Sequence, residues 1–317
     1  MARRWIALLA AGLALSACTQ SADHTQAGRA KTPDPAAIRH RIPGLAAVLA
    51  GLADHGRNPQ DPPYYLSLGD SLSQGVQPSS TGTDVATTQG YPDQLTTLLR
   101  TSVPDLRLVK LGCSGETTTT MIRGGICHYP AGSQLAQATE FLRSHAGSVA
   151  LITIDIGGND PNSCVIGQAV SRIFGCLSSR IGQSVRNLGT ILARLRAADG
   201  SKALIVGMNY YVPELGLWKT TTGRALAILT EGFAAGGNHM LADKYHSYGA
   251  KVADVFSAFK SADFGTRNKT AKADPPNVAA ICAFTWMCAP HPRGPNEHAN
   301  SAGYHVIAEA FYRAITK

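Results

Sequence analysis

The sequence predicts an α/β fold, with one doubly wound parallel sheet that is covered by helices on both sides. Three observations support this prediction. From residue 64 onward, five apolar runs of strand length alternate with longer segments of helical period. The runs are interpreted as strands that are apolar on both faces, as in a parallel sheet that is covered on both sides. The chain has 317 residues, of which 44% are hydrophobic and 16% charged, so it can bury one large core.

The individual strands and helices are assigned from these runs in chain order. The predicted strands are residues 64–68, 106–111, 149–156, 203–208 and 252–255. The predicted helices are residues 91–100, 134–145, 181–198, 224–248 and 302–315. Ligands of such sheets bind beyond the carboxyl ends of the strands, where the strand order reverses. Functional side chains are therefore expected directly after strand ends.

The first 17 residues have the features of an export signal. Arg3 and Arg4 are followed by the apolar residues 5–15 and by small residues before Cys18. This arrangement resembles the lipobox of bacterial lipoproteins, which implies that the Cys18 thiol carries a diacylglyceryl group and becomes the mature N-terminus. The alternative is an ordinary secretory signal with Cys18 near the cut by chance. The apolar run is too short for a transmembrane helix, which needs about 20 residues.

The domain organisation follows from this signal and from the local composition. Residues 1–17 are predicted to be a lipoprotein signal peptide. Residues 18–63, rich in Ala, Pro, Asp, His and Arg, are predicted to be a lipidated N-terminus and flexible tether. Residues 64–317 are predicted to be the single folded domain. We therefore expect an exported monomer that is lipid-anchored on the outer face of the bacterial cell membrane.

The cysteine content agrees with export. Seven cysteines less Cys18 leave six, which allow 15 pairings. Their closeness in sequence favours three local disulfides, and a loop of about 15 residues closed in this way contributes about 3 kcal/mol of stability. No C-x-x-C or Cys/His cluster with ligand spacing occurs, so neither a metal nor a cofactor is expected. The favoured pairs are Cys113 with Cys127, Cys164 with Cys176, and Cys282 with Cys288.

The formal net charge of +8 results from 29 Lys and Arg residues against 21 Asp and Glu residues. The sequence contains no run of five or more basic residues and no basic block interleaved with aromatic residues. Nucleic acid is therefore not an expected partner. A diffuse positive charge is instead compatible with a location near an anionic cell envelope.

Polar loops follow the first three predicted strands. The first strand ends in Gly-Asp-Ser-Leu at 69–72, which places Ser71 at a strand-to-loop turn. The second ends in Gly-Cys-Ser-Gly-Glu-Thr-Thr at 112–118, and the third in Gly-Gly-Asn-Asp at 157–160. A serine hydroxyl needs a base within hydrogen-bond reach to act as a nucleophile, and histidine titrates in the right range. His298 lies directly before the last predicted helix.

The order of these motifs is similar to the four blocks of the SGNH/GDSL hydrolase superfamily, over residues 64–317. The nearest type is the disulfide-containing, exported esterase or lipase of actinobacteria. The resemblance implies a flavodoxin-like, three-layer αβα sandwich with five parallel strands. It also implies Ser71 as nucleophile and His298 as general base. The backbone N–H groups of Ser71 and Gly115 and the amide of Asn159 would form the oxyanion hole. Glycine at 115 is expected because a side chain would obstruct the approach of its N–H.

The sequence departs from the family pattern at one position. The family commonly has an aspartate three residues before the histidine, and that position is Pro295 here. Asn296 and Glu297 are expected to point elsewhere from an extended loop. We therefore predict a dyad, or a triad completed by a backbone carbonyl of residues 286–295. His291, which precedes a proline, is the alternative base.

The other carboxylates near these motifs are predicted to have structural roles. Asp70 and Asp160 are expected to brace their own loops. Asp155 lies inside an apolar strand and is expected to be a hydrogen-bonded, buried carboxylate.

The resemblance implies hydrolysis of carboxylic esters through an acyl-enzyme, with a lipid, an acylated glycan or a small ester as substrate. Residues 74–89, the loop around His128 and residues 218–225 are candidates for shaping the acyl pocket. The main alternative is an inactive protein of the same fold that binds envelope lipid or glycan. An α/β-hydrolase lipase is disfavoured because the sequence has no G-x-S-x-G elbow. A metal-dependent hydrolase is disfavoured because no ligand spacing occurs.

Overall fold

The computed structural model describes residues 61–164, 170–200, 203–265 and 274–317. The signal peptide, Cys18 and nearly all of the tether lie outside the described residues and remain predictions. The described strands are β1 (Tyr64–Gly69), β2 (Gln77–Pro78), β3 (Asp84–Val85), β4 (Arg107–Lys110), β5 (Val149–Asp155), β6 (Leu204–Met208) and β7 (Lys251–Ala253).

Five of these strands form one parallel sheet in the order β4-β1-β5-β6-β7. Counted along the chain within the sheet, this order is 2-1-3-4-5, the flavodoxin-like arrangement. The direction of winding reverses between β1 and β5, which pair in register from Leu66 with Ile152 to Gly69 with Asp155. The predicted fold class is confirmed. A ligand crevice is therefore expected at the carboxyl ends of β1 and β5.

Helices cover both faces of the sheet. They are α1 (Tyr91–Leu99), α2 (Thr118–Arg123), α3 (Gln134–Ser144), α4 (Val170–Asp199), α5 (Thr221–Ser247), α6 (Val255–Ala258), α7 (Pro276–Phe284) and α8 (Ser301–Thr316). On one face, α1 and α8 pack around the stacked rings of Tyr91 and Phe311. On the other face, α3 and α4 bury Leu135 and Leu192 against Ile152 of β5. All seven residues of β5 are buried, which explains why its sequence is apolar at consecutive positions.

The structure differs from the predicted elements where local polar contacts decide the backbone. The predicted strand at 252–255 ends at Ala253, because the Asp254 side chain accepts a hydrogen bond from the Ser257 N–H and begins α6. The helix predicted at 181–198 already begins at Val170. Helix α2 was not predicted, although Thr117 and Thr120 form a capping box at its start. The antiparallel β2–β3 hairpin was not predicted either.

The three favoured disulfides are present: Cys113–Cys127, Cys164–Cys176 and Cys282–Cys288. They close sequence separations of 14, 12 and 6 residues, so each fixes a local loop. In the described part of the chain, no helix combines the length and the apolar character needed to cross a membrane.

Candidate functional site

The loops after β1, β4 and β5 are joined by hydrogen bonds at the carboxyl edge of the sheet. The Cys113 N–H donates to the Gly69 carbonyl at 3.0 Å, which joins the first two loops. The Asn159 amide Nδ2 donates to the Glu116 carbonyl at 2.9 Å, which joins the second and third. These loops carry Ser71, Gly115 and Asn159. Three of the predicted site residues therefore lie at the edge where sequence order placed them.

Two carboxylates hold the turn that presents Ser71. Asp155 is fully buried at the end of β5, and its Oδ2 accepts the N–H groups of Asp70 at 3.2 Å and Ser73 at 3.1 Å. The Asp70 Oδ1 accepts the Leu72 N–H at 3.0 Å. Residues on both sides of Ser71 are thus fixed, while Ser71 itself is partly exposed. The predicted structural roles of Asp70 and Asp155 are confirmed.

Close approach of the strands explains the glycine that begins this turn. Gly69 has a φ of +139°, and a Cβ built there would lie 2.3 Å from the Asp155 carbonyl oxygen. The neighbouring Asp155 Oδ1 accepts a hydrogen bond from the Tyr91 hydroxyl at 2.6 Å. Any larger residue at 69 would push this carboxylate away from the N–H groups that it holds.

The two carboxylates beneath the turn share a low-dielectric environment. Burial raises the pKa of Asp70 to about 6, and burial together with the Asp70 charge raises the pKa of Asp155 well above its usual value. Two adjacent buried carboxylates cannot both ionise cheaply, so ionisation of one opposes ionisation of the other.

The loop after β4 turns at Gly115, which has a φ of +82°. A Cβ at this position would meet no protein atom within 4 Å. A side chain here would therefore displace no protein neighbour but would occupy the open space in front of the loop, and the left-handed backbone conformation also favours glycine. The same loop is anchored to the loop after β5, because the Asp160 carboxylate accepts the Thr118 N–H at 2.9 Å. Asp160 thus braces two loops rather than only its own.

His298 is buried, with 5% of its surface exposed, and its Nδ1 lies 2.8 Å from the Asn296 Oδ1. The same Oδ1 accepts the His298 backbone N–H at 3.0 Å. The Asn296 Nδ2 donates to the Asp84 Oδ1 at 2.7 Å. A backbone N–H can only donate and a carboxylate can only accept, so the amide orientation is fixed by its partners. Nδ1 therefore carries the proton, and Nε2 is the nitrogen that can accept one.

This contact corrects the prediction that the Asn296 side chain points elsewhere, and it places a side-chain oxygen where one of the two predicted alternatives expected a backbone carbonyl. Asn296 forms an Asx turn, in which its side-chain oxygen folds back to the N–H two residues on. The oxygen thereby comes to lie beside the His298 ring as well. Reading the segment as extended chain missed this turn, although asparagine is a typical residue for it.

The segment that carries His298 is joined to the Ser71 loop. Tyr304 in α8 donates its hydroxyl to the Val76 carbonyl at 2.8 Å, and the Val76 N–H donates to the Ser71 carbonyl at 3.1 Å. On its other side, the Tyr211 hydroxyl donates to the Glu297 carbonyl at 2.8 Å. The alternative base, His291, lies in an exposed part of the same loop.

Burial lowers the pKa of His298 below its usual value, and the charges of Glu297 and Asp84 partly oppose this effect. The ring is therefore neutral at pH 7, as a general base must be. Within the described residues, no group of three or more His, Cys, Asp and Glu side chains is arranged to hold a metal ion.

The sheet order and the polar loops at its switch point define an α/β protein whose candidate site lies at the carboxyl ends of parallel strands. Within that class, the chain belongs to the GDSL-like lipase/acylhydrolase family, which residues 67–306 match. This match covers more than half of the chain and includes every predicted site residue of the folded domain.

Two solved structures illustrate the shared fold. Phospholipase A1 from Streptomyces albidoflavus has a TM-score of 0.51 and 19% identity, over 80% of this chain and 100% of that chain. A lipase from a goat rumen metagenome has a TM-score of 0.50 and 18% identity, over 80% of this chain and 97% of that chain. At these identities the likeness establishes the fold alone. No protein of curated function matches the sequence.

Proposed function

We propose that the protein is an exported serine esterase or lipase that hydrolyses carboxylic esters through an acyl-enzyme on Ser71. The observation that carries the proposal is the state of His298. Its ring is buried and neutral, Nδ1 is occupied by Asn296, and Nε2 can accept a proton. The ring stands in a segment that hydrogen bonds join to the Ser71 loop.

The proposed reaction has two halves. The His298 Nε2 takes the proton from the Ser71 hydroxyl as its oxygen attacks the ester carbonyl carbon. The negative charge on the former carbonyl oxygen is stabilised by the N–H groups of Ser71 and Gly115 and by the Asn159 amide. The alcohol leaves with the proton from His298, and water then attacks the acyl-enzyme with His298 again acting as base. No cofactor is needed for either half.

Family membership supports ester hydrolysis as the reaction. Short acyl chains are the proposed default, with envelope lipids, acylated glycans and environmental esters as candidate sources. The three disulfides support export, since such bonds persist in oxidising compartments. The proposed anchor is an acylated Cys18.

The test is a p-nitrophenyl ester series of increasing acyl length, together with labelling by a fluorophosphonate probe. We expect the wild type to hydrolyse short esters and to be labelled, and Ser71→Ala to lose both properties. We expect His298→Ala to lower kcat by about 10⁴-fold or more. The matched variant His291→Ala should keep most of the activity, since that ring lies exposed.

Two results would contradict the proposal. A folded wild type that neither turns over nor becomes labelled would favour the inactive lipid- or glycan-binding protein. Loss of activity in His291→Ala with retention in His298→Ala would move the base to the other histidine.

A further inference from the structure

We propose that Asp84, on the β2–β3 hairpin that follows the turn presenting Ser71, is the acidic positioning residue of this site. It acts on His298 through the side-chain amide of Asn296. This inference rests on the proposed function, because it assigns a role in the same reaction. The family commonly has an aspartate at the position of Pro295, and Asp84 would supply a carboxylate in its place. Asp84 lies 214 residues before His298 in the sequence.

The three side chains form a continuous hydrogen-bonded chain. The Asp84 Oδ1 lies 2.7 Å from the Asn296 Nδ2, and the Asn296 Oδ1 lies 2.8 Å from the His298 Nδ1. The direct distance from the Asp84 Oδ1 to the His298 Nδ1 is 3.7 Å, too long for a hydrogen bond but short for an electrostatic contact. Asp84 therefore orients the Asn296 amide, and that amide orients the His298 ring. The Asp84 carboxylate also acts on the ring through its negative charge.

The burial of His298 and Asn296 makes the hydrogen bond from Asn296 to Asp84 more important. His298 and Asn296 are buried, so the Asn296 N–H that points to the hairpin needs a partner inside the protein. Asp84 meets that need with a side chain that is 33% exposed and therefore keeps its own charge in contact with water. A carboxylate that polarises the amide makes its oxygen a better acceptor for the imidazole N–H.

The reaction should use this charge most when His298 is protonated. As the imidazole takes the Ser71 proton it becomes positive, and a negative group 3.7 Å away stabilises it. Among the described residues, the charged groups that act on the ring are Glu297 in its own segment and Asp84 on the hairpin. Two tyrosines also contact the surrounding chain, Tyr211 after β6 and Tyr304 in α8, and burial raises the pKa of each so far that both stay neutral.

The substitution Asp84→Asn removes the negative charge of the side chain but keeps its size and shape. Its amide oxygen can still accept from Asn296, so the ring should stay in place while the negative charge is lost. We expect kcat/KM to fall about tenfold, and its acid limb to move to lower pH because His298 loses a stabilising charge. The deficit should shrink in 1 M NaCl, where the wild-type charge is itself screened.

Removal of the amide should be more severe. Asn296→Ala leaves the Nδ1 proton without its acceptor, and we expect kcat to fall about 10²-fold or more with a small change in KM. The exchange Asn296→Asp with Asp84→Asn puts a carboxylate directly on Nδ1 and an amide behind it. This double variant should be at least ten times more active than Asn296→Ala. Asp105→Asn, an exposed carboxylate before β4, is the matched control and should behave as wild type.

A second readout does not depend on turnover. The His298 ring is titrated by NMR in the wild type and in Asp84→Asn, after thermal unfolding confirms that both are folded. A lower His298 pKa in the variant, with the proton still on Nδ1, supports the inference even if no ester is hydrolysed and the proposed function fails. An unchanged His298 pKa, or wild-type kcat and pH profile in both Asp84→Asn and Asn296→Ala, overturns it while leaving a Ser71-dependent esterase intact.

Discussion

At the scale of single residues, Gly115 is the position where backbone conformation alone can be tested. Its φ of +82° lies in the left-handed region, which costs an L side chain about 1–2 kcal/mol. A Cβ there would meet no protein atom, so a substitution brings strain and occupies open space in front of the loop without displacing a neighbour. If the Gly115 N–H stabilises the oxyanion, even a small shift of this backbone reduces the rate of the chemical step.

Gly115→Ala should therefore lower kcat by about tenfold to a hundredfold, with a stability loss of about 1 kcal/mol. Gly249→Ala is the matched control, because Gly249 also has a positive φ, +63°, and open space for a Cβ, but lies before β7 at the opposite edge of the sheet. It should lose similar stability and keep its kcat. Steady-state kinetics and urea unfolding of both variants check this, and equal kcat values would remove Gly115 from the oxyanion hole.

At the scale of elements, the end of β5 supports the turn after β1. The Asp155 carboxylate accepts two N–H groups of that turn and the hydroxyl of Tyr91 at the start of α1. Burial raises the pKa of Asp70 to about 6 and that of Asp155 well above its usual value. An acid with a raised folded pKa contributes fully to stability below its unfolded pKa of about 4, and this contribution is lost as pH rises through the folded pKa.

We therefore expect the free energy of unfolding to fall as pH rises from about 4 through about 6, and to fall further as Asp155 ionises. Asp155→Asn should flatten this dependence. Its amide oxygen can accept the two N–H groups, and its NH₂ can donate to Tyr91, so it mimics the protonated acid. Urea midpoints between pH 4 and pH 8 measure the effect. Asp105→Asn should keep the wild-type slope, and an Asp155→Asn slope equal to wild type would show that this pair does not titrate as argued.

At the scale of the whole molecule, the fold brings distant segments to one edge. The Asn296 side chain contacts Asp84 across 212 residues of sequence, and Tyr304 contacts Val76 across 228. Helix α8 packs against α1 through the stacked rings of Phe311 and Tyr91, and its Tyr304 hydroxyl holds the preceding His298 segment beside the loop after β1. The hairpin and the histidine segment can meet only in the folded molecule.

Anchoring is also a property of the whole chain. We expect the full-length protein, expressed in a bacterium with lipoprotein processing, to incorporate labelled fatty acid and to partition into the membrane fraction. Cys18→Ala should abolish both, because two or three acyl chains on one residue hold a protein firmly and none remain in the variant. If the wild type incorporates no labelled fatty acid and partitions into the membrane fraction no more than Cys18→Ala does, the segment is an ordinary secretory signal instead.

The fold was accessible from sequence because its signals are local and strong. The three central strands of the main sheet, β1, β5 and β6, are mainly apolar runs, and the longest helix, α4, has a clear helical period. The hairpin was missed because its strands have two residues each, too few for any period to appear. The start of α7 at two consecutive prolines was a usable signal that periodicity alone overlooked.

The sequence by itself determined the sheet and the candidate positions Ser71, Gly115 and Asn159. They follow strands whose carboxyl ends must meet, so strand order alone places them at one edge. Only the tertiary structure decided what orients His298. That contact depends on an Asx turn at Asn296 and on a hairpin carboxylate from the far end of the domain. The orientation of a side chain and the contact between loops that are distant in sequence depend on how the whole chain packs. A local sequence pattern therefore cannot predict them.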